Sequence, residues 1–461
     1  MREGAVGAPF SRPGATLTGS AWGASWRWVL TEISAEAVEQ LGGPEWLRAT
    51  RREALARFSS AELPTEAEEV WRYSRIDDLD LARFSVEGGA GPGSAGAVPP
   101  GPAAVLSDRA ATVLVENGVV TAVDLSGPAA AGLTVTPLRE LPGDPAAPDR
   151  PPADRPRLGA VAGSADPFVD LSTALTADGV LIEVARGSVL TAPVVVSHRF
   201  SGSGVVRAAR TVVRCGANAQ ASVVEEVLSS DELTLVLPVV ELDLEEGANL
   251  DYAGIQALGP RAWQIGYQAS RLGRDAALRS LIVALGGWYA RVRTDSRLVE
   301  TGASTRLLAL YFGDGDQMHD FRTLQEHAAP KTTSDLLFKG AVRDTAHGVY
   351  SGLIRVRPGA AGTNAFQTNR NLVLSEGATA WSVPNLEIED NDVRCSHASA
   401  VGPVDEEQQY YLESRGVPPD AARQLIVLGF FQDLLRMAPA PGMHEAVREL
   451  VAAKLEGRDG T

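Results

Sequence analysis

The sequence predicts a mainly β protein with a long repetitive core and a helical region at each end. Three observations lead to this prediction. Short, partly alternating apolar runs follow one another through residues 167–400, Gly-Ala pairs recur in the turns between them, and helical spacing of apolar residues is found only outside this stretch. A chain of 461 residues is long enough for such a core with appended ends.

Residues 1–30 are rich in Gly, Ala, Ser and Thr and are expected to form a flexible extension without an assigned function. Residues 31–86 are predicted to be a helical region. After a break at residues 42–44, apolar residues share one helical face, namely Leu47, Ala54, Leu55 and Phe58. Pro64 and Thr65, followed by acidic residues, predict the start of a further amphipathic helix.

Residues 87–166 are predicted to contain short strands flanked by linkers. The linkers, residues 87–104 and 140–159, are rich in Pro with Gly or Asp and poor in large apolar residues. Between them, Asn117-Gly118 is typical of a hairpin turn.

The core, residues 167–400, is predicted to consist of many short strands in succession. Gly-Ala corners are found at Gly216, Gly247, Gly302, Gly359 and Gly377. Such corners suit a β-solenoid, in which the chain turns sharply and each coil stacks on the last. Because the spacing is irregular, a sandwich or a double-stranded barrel stays open on pattern alone.

Residues 401–461 are predicted to be a C-terminal helical domain. Asp405 and Gln408 resemble a capping box, Gly416 is placed to end that helix, and Pro418-Pro419 opens a second helix. A third helix is expected at residues 444–455. The second helix is apolar on more than one face, so it is either buried on two sides or binds a partner; its apolar residues include Leu425, Leu428, Phe430 and Phe431.

The charge and the cysteine content narrow the classes of function. A formal net charge of −16 argues against nucleic acid as a partner, because phosphate backbones are bound by clustered Lys and Arg. With Cys215 and Cys395 as its only cysteines, this chain alone can form neither a disulfide framework nor a four-thiolate site. No run approaches a membrane span and the first 20 residues lack a signal-peptide core, so a cytoplasmic protein without membrane attachment is expected.

Cys395 and His397 are the candidate metal ligands. They stand two apart in a strand-like segment, so their side chains are expected on the same side. Thiol and imidazole can bind a soft or borderline metal, but two ligands do not close a site. From the residues alone, a small buried thiol and a hydrogen-bonded structural histidine are the favoured interpretations.

Other motifs are weaker. The segment 317–327 contains His319, Asp320, Glu326 and His327, but their spacing matches no standard zinc site, and a solvated strand-turn-strand is favoured. The sequence contains no P-loop and no nucleophile elbow. Nucleotide hydrolysis would therefore have to come from another subunit.

Four segments resemble the SufB/SufD family of iron–sulfur cluster assembly scaffolds. Residues 167–190 and 334–378 resemble the family core, residues 63–76 (LPTEAEEVWRYSRI) the start of SufD proteins, and residues 394–416 (RCSHASAVGPVDEEQQYYLESRG) their C-terminal signature. The resemblance implies a right-handed parallel β-helix and so favours the solenoid over the sandwich and the barrel. After the Cys-Ser-His motif the chain reads ASAVG where many relatives read GATVG.

This chain differs from SufB proteins in two ways that point to SufD. SufB proteins carry a cysteine in the strand that corresponds to residues 366–375, and this strand has none. They also have Glu after the matching histidine, where this chain has Ala398. The resemblance is therefore to the SufD subunit.

The resemblance implies a non-catalytic scaffold subunit. It would form a heterodimer with a SufB-like paralogue and dock a SufC-like ABC-type ATPase through its C-terminal helices. His397 would lie at the SufB interface, where a transient iron–sulfur cluster is assembled, and no cofactor would be bound tightly by this chain alone. Whether Cys395 is a ligand and whether the isolated chain forms a homodimer stay open.

The alternative function is a β-helix carbohydrate-active enzyme that cleaves an acidic polysaccharide. Such an enzyme would usually be exported, and its groove would carry clustered Arg, Lys and Asp. The sequence shows neither an obvious export signal nor an obvious catalytic cluster.

Overall fold

The structure is a computed structural model that describes residues 33–86, 98–141, 158–439 and 441–457. The predicted extension 1–30 and large parts of both predicted linkers lie outside these ranges. The helices are α1 Ala35–Gln40, α2 Glu45–Ser60, α3 Pro167–Leu175, α4 Glu406–Ser414, α5 Pro419–Met437 and α6 His444–Leu455.

The strands run from the N-terminal hairpin to the C-terminal helices. They are β1 Ala111–Glu116, β2 Val119–Leu125, β3 Leu133–Pro137, β4 Val180–Val184, β5 Val194–Phe200, β6 Val205–Cys215, β7 Gln220–Ser229, β8 Thr234–Leu244, β9 Asn249–Ala257, β10 Trp263–Leu272, β11 Ala277–Ala284, β12 Tyr289–Leu298, β13 Ser304–Gly313, β14 Met318–His327, β15 Thr333–Val342, β16 His347–Val356, β17 Thr363–Val373, β18 Thr379–Ile388 and β19 Val393–Gly402.

These strands form two sheets that the chain visits in alternation. Sheet I has the order β19-β17-β15-β13-β11-β9-β7-β5-β1-β2, and sheet II the order β18-β16-β14-β12-β10-β8-β6-β4-β3. From β4 onward, neighbouring strands within each sheet are parallel. Each coil thus gives one strand to each sheet, and about eight coils make a parallel β-solenoid. The solenoid prediction is confirmed.

The corners explain why the Gly-Ala pattern looked irregular. Gly247 and Gly302 have left-handed φ values of 67° and 79°, and the alanine after each is fully buried. In the coil before each of these, Asn218 and Asp275 take the same conformation, with φ of 60° and 53°. Because Asn and Asp also tolerate left-handed backbone, only some corners carry the glycine.

The N-terminal strands complete both sheets. The predicted hairpin at Asn117-Gly118 is confirmed, since both residues have positive φ and β1 pairs antiparallel with β2. β1 continues sheet I by pairing parallel with β5, and β3 closes sheet II by pairing antiparallel with β4. The strands predicted within residues 87–166 therefore belong to the two sheets of the core.

The start of the predicted strand region is wrong, because residues 167–175 form helix α3. The Asp166 side chain accepts hydrogen bonds from Phe168 N (2.9 Å) and Val169 N (3.1 Å), and Pro167 occupies the first turn. All residues of the helix after Pro167 are buried. An apolar run buried on all sides carries no helical periodicity, so it resembled a strand.

The amphipathic helix predicted from Pro64 is also wrong. Residues 62–84 form short 3-10 turns at Glu69–Trp71, Ile76–Asp78 and Leu81–Arg83. The buried apolar residues Trp71, Ile76 and Leu81 are five apart, a spacing that cannot share one face of an α-helix. In α2, by contrast, the predicted face is buried, with Arg51 alongside it.

A buried ion network lies on the outer face of sheet II. Asp320 pairs with Arg291 (2.7 Å) and Arg322 (2.5 Å), and it accepts a hydrogen bond from the Tyr289 hydroxyl (2.9 Å). Burial by itself would raise the pKa of Asp320, but the two guanidinium groups outweigh burial and hold that pKa below its usual range. The carboxylate is therefore ionised and fully paired.

The same network holds the N-terminal region on sheet II. Arg291 donates to the carbonyl of Val70 (2.9 Å) and Arg322 to the carbonyl of Arg72 (2.7 Å). The Arg291 guanidinium also stacks over the Trp71 ring, 3.6 Å from its centre. Residues 69–72 are thus fixed by contacts with strands more than 200 positions away in the sequence.

The C-terminal helices fold back onto the outer face of sheet I. Apolar residues of α5 and α6 pack on those of β7, β9, β11 and β13. Lys339 Nζ donates to the Phe430 carbonyl (2.6 Å) and Asp433 Oδ1 (2.5 Å), while Lys454 Nζ reaches the Phe312 carbonyl (2.8 Å). The helical domain therefore shares its core with the solenoid.

Candidate functional site

The candidate site lies at the C-terminal end of the solenoid, where both sheets stop. β18 pairs with β16 and β19 pairs with β17. On their other side, neither strand is paired within the described parts of the chain. Two strand edges with free backbone hydrogen-bonding groups are therefore open to a partner.

Cys395 and His397 lie on the inward-facing side of β19. Cys395 is in register with Ala365 and His397 with Gln367, and both of these β17 residues are buried in the solenoid interior. Parallel strands in register stack side chains of equal parity on the same face. The structure thus places thiol and imidazole together at the end of the interior.

The last coil leaves these two side chains differently exposed. Cys395 is half-buried beside Val393 and packs against Ile354, Val356 and Ala365, whereas His397 is exposed. Burial raises the pKa of the Cys395 thiol, and a weaker opposing effect comes from the backbone amide of Ala365. The isolated chain therefore favours the neutral thiol over the metal-binding thiolate.

This chain does not close a metal site around the pair. Within the residues that the structure describes, no three His, Cys, Asp or Glu side chains come together in a metal-binding group. A tetrahedral site needs four ligands. Any metal or cluster at Cys395 and His397 would therefore take its remaining ligands from elsewhere.

A row of buried amides beneath His397 was missed by the sequence analysis. Gln367, Asn369 and Asn371 alternate along β17 and face the interior. Asn371 Nδ2 donates to Asn369 Oδ1 (2.7 Å), and Asn369 Nδ2 donates to the Phe338 carbonyl (3.3 Å). Three amides at every second position of a strand were the available signal, because side chains of equal parity share one face.

Apolar side chains surround the open end. On the last three strands, several large apolar residues that would usually be buried are more than a third exposed, namely Phe366, Val383, Leu386, Ile388 and Val401. Exposed large apolar groups at the open end of a solenoid suit a protein–protein contact. We refer to these five residues as the apolar rim.

The four candidate partner-binding residues of α5 have unequal positions. Leu425 is 53% exposed, Leu428 and Phe430 are half-buried, and Phe431 is 1% exposed. Phe431 lies with Val427 on the face that packs on sheet I. In this chain, Phe431 is therefore a core residue and the other three are accessible.

The segment 317–327 is not a solvated strand-turn-strand, so that interpretation is wrong. Residues 318–327 are the single strand β14, in which His319, Asp320 and His327 are fully buried. The odd-numbered histidines face the interior, whereas Asp320 and Glu326 face the outside of sheet II. Because alternation puts these residues on opposite faces, they cannot share a metal ion.

The two interior histidines predict a specific loss of stability in acid. Burial lowers the pKa of His319 to about 3 and that of His327 to about 4, whereas in the unfolded chain both titrate near 6.5. The unfolded state therefore binds more protons below pH 6.5. The stability conferred by a neutral buried histidine is complete above pH 6.5 and is lost as the pH falls toward 4.

His327→Gln tests this prediction, because glutamine can still bond Thr332 and Ser334 but does not titrate. Between pH 7 and pH 5, the wild-type chain should lose about 2 kcal/mol more unfolding free energy than the variant. Urea unfolding at a series of pH values measures the difference. Parallel curves for the two proteins would show that His327 is protonated in the folded state as readily as in the unfolded state.

No helix in the described ranges combines the length and the apolar character that crossing a membrane requires.

Fold and site together define a class of protein: a parallel β-solenoid that ends in two open strand edges, with a thiol and an imidazole at the opening. Residues 198–430 match the family model for the SufBD core domain of the SUF system for iron–sulfur cluster assembly. This match spans half of the chain. The chain belongs to the SufBD family.

Curated relatives agree with this assignment. An iron–sulfur cluster assembly SufBD family protein of Mycobacterium tuberculosis is 35% identical over 289 residues, which cover 61% of this chain and 72% of the relative. The iron–sulfur cluster assembly protein SufD of Escherichia coli is 27% identical over 401 residues, covering 86% of this chain and 90% of the relative. SufD of Bacillus subtilis is 26% identical over 219 residues, or 47% of this chain and 50% of the relative.

Proposed function

We propose that this chain is a non-catalytic scaffold subunit of an iron–sulfur cluster assembly complex. Family membership and the two SufD relatives support a role in iron–sulfur cluster assembly. The observation that carries the proposal is the position of His397, which is exposed at the open end of the solenoid beside Cys395. Such an incomplete ligand pair suits a site shared between two subunits.

The proposed partner at this end is a SufB-like paralogue. The unpaired edges of β18 and β19 can each continue into a strand of a second solenoid, as in other cases of strand addition. The apolar rim around them would be covered by the same contact. A paralogue has the matching two-sheet cross-section, so both edges can pair at once.

His397 is proposed to contribute a ligand at this interface. Its imidazole faces the end of the interior, where a cysteine of the paralogue would add a further ligand. The cluster is the cargo of the complex, formed at the interface and passed on. Cys395, half-buried next to His397, is the second candidate ligand of this chain.

The C-terminal helices are proposed to dock a SufC-like ABC-type ATPase. Leu425 on α5 and Tyr410 and Tyr411 on α4 are exposed, and Leu428 and Phe430 are partly accessible. Because these helices share a core with sheet I, a movement of the ATPase would be transmitted to the solenoid. ATP-driven rearrangement would then open or close the shared interface.

His397→Ala tests the proposed site. The complex co-expressed with the paralogue and the ATPase should be recovered in wild-type amounts, because an exposed side chain contributes little to folding. Cluster formation under anaerobic conditions should fall by roughly tenfold or more, since a ligand is lost. Iron and sulfide content per complex, together with the visible absorbance of the cluster, measures this.

The matched control is Ser396→Ala, which changes the neighbouring side chain on the opposite face of β19. It should leave both assembly of the complex and cluster formation unchanged. A His397→Ala complex that falls apart would give His397 a structural role. Full cluster formation in an intact variant complex would remove His397 from the site.

A further inference from the structure

The side-chain amide of Gln367 is the least satisfied polar group near the candidate site. Gln367 is 1% exposed, and neither its Oε1 nor its Nε2 has a hydrogen-bond partner among the residues that the structure describes. A buried amide without hydrogen bonds is costly, because it has given up its bonds to water. Such groups are rare in folded proteins and call for a specific explanation.

The neighbouring amides of β17 differ from Gln367. Asn369 bonds to the Phe338 carbonyl and to Asn371, and Asn371 also accepts a hydrogen bond from the Tyr311 hydroxyl. The amides of Asn369 and Asn371 are thus hydrogen-bonded to groups of this chain. Only the inward amide directly below His397 on this strand is left without partners in the described structure.

The packing around Gln367 places its amide across the interior, beside sheet II. On the facing sheet, a Cβ atom on Gly352 would lie 2.7 Å from Gln367 Nε2 and equally close to Thr323 Oγ1. The amide therefore occupies space that a glycine leaves open. Above it, His397 is the residue in register on β19, one strand spacing of about 4.8 Å away on the same face.

An amide and an imidazole are complementary hydrogen-bonding groups. Neutral imidazole has one N–H donor and one nitrogen acceptor, and a glutamine side chain offers an oxygen acceptor and an NH2 donor. Histidines that bind metals usually donate their second ring N–H to an oxygen, which selects the tautomer and the ring orientation. Gln367 is in register with His397, and its Oε1 is a buried acceptor without a hydrogen bond in the described structure.

We infer that Gln367 is a positioning residue for His397. In the assembled complex its Oε1 accepts the N–H of one imidazole nitrogen, so that the other nitrogen, which carries the lone pair, faces the shared interface. This inference rests on the proposed function and extends it: the ligand of this chain is a histidine held in one tautomer by a second residue from the preceding coil.

The experiment uses the full chain in complex with the paralogue. It compares three variants, two at Gln367 and one at Thr368. Gln367→Met keeps the length of the side chain but removes the amide, whereas Gln367→Glu keeps an oxygen acceptor. Thr368→Val is the matched control, because it changes the next residue of β17, on the opposite face. Thermal unfolding establishes that each variant is folded.

Nitrogen-15 NMR of the imidazole rings reports the tautomer of His397. A merely structural role of Gln367 would leave that tautomer unchanged. In the wild-type complex and in Gln367→Glu, His397 should show one tautomer, and in Gln367→Met it should show a mixture. Cluster formation should fall roughly tenfold in Gln367→Met, less in Gln367→Glu, and not in Thr368→Val.

The outcomes separate this inference from the proposed function. If His397→Ala abolishes cluster formation while Gln367→Met changes neither the tautomer nor the yield, the inference is overturned and the function stands. If Gln367→Met changes the tautomer while His397→Ala still forms clusters, the positioning contact stands and the proposed ligand role fails. Equal losses in the Met and Glu variants would also overturn the inference, because the acceptor would then be irrelevant.

Discussion

Asp320→Ala is expected to lower the free energy of unfolding by about 3–5 kcal/mol, the cost of leaving buried charges without their partner. The substitution removes the carboxylate that pairs with Arg291 and Arg322, both of which are almost completely buried. The two guanidinium groups would then repel each other on the outer face of sheet II. Chemical unfolding followed by circular dichroism measures the change.

The chain contains a matched control one sheet away. Asp335 pairs with Arg306 at 3.4 Å, but both side chains are about half exposed. Asp335→Ala should therefore cost less than about 1 kcal/mol. Equal effects of the two substitutions would show that water reaches the Asp320 network.

The Asp320 network also predicts a local effect. Because Arg291 and Arg322 donate to the carbonyls of Val70 and Arg72, disturbing their positions should release residues 69–72 from sheet II. Limited proteolysis of Asp320→Ala should cut within residues 62–84 sooner than in the wild-type chain. Unchanged protection there would mean that Trp71 and its apolar neighbours hold the segment by themselves.

The second large effect is expected in helix α5, where two apolar residues should behave in opposite ways. Phe431→Ala should destabilise the chain by about 3–5 kcal/mol, since it leaves a cavity between the helix and sheet I. Leu425→Asp should change stability by no more than about 0.5 kcal/mol, because Leu425 is mostly exposed. The same Leu425→Asp chain should lose the ATPase from the purified complex.

Unfolding measurements and pull-down of the ATPase test the two halves of this prediction. Gln432→Asp is a suitable control for Leu425→Asp, because it adds the same single negative charge at an exposed position of the same helix. Retention of the ATPase by soluble Leu425→Asp protein would place the docking surface elsewhere. A small effect of Phe431→Ala would mean that the helix can close the cavity by moving toward sheet I.

Much of the architecture was predictable because its signals are local. Left-handed backbone explains the residue types at the corners, and Asn117-Gly118 predicts the hairpin. Asp405 predicts the start of α4, and its side chain caps that helix in the structure. Each of these depends on neighbours a few positions away. The same holds for Cys395 and His397, whose shared face follows from two-residue alternation.

The errors arose where distant contacts outweigh local pattern. Helix α3 is buried on all sides by sheet II and the N-terminal region, so its apolar run shows no period. Residues 62–84 take short 3-10 turns, and two arginines of sheet II bind the carbonyls of Val70 and Arg72 within this segment. Phe431 and Leu425 are equally apolar in the sequence, and only packing on sheet I separates them.

The sequence by itself therefore determined that this protein is a turn-rich β protein with terminal helices and a Cys-x-His pair on one face of a late strand. Tertiary structure alone decided which distant side chains meet. Asp320 meets Arg291 across 29 positions, and Gln367 comes to lie in register with His397 on the next coil. Such pairings depend on the length of every coil between corners, because one added residue would turn each stacked side chain to the opposite face.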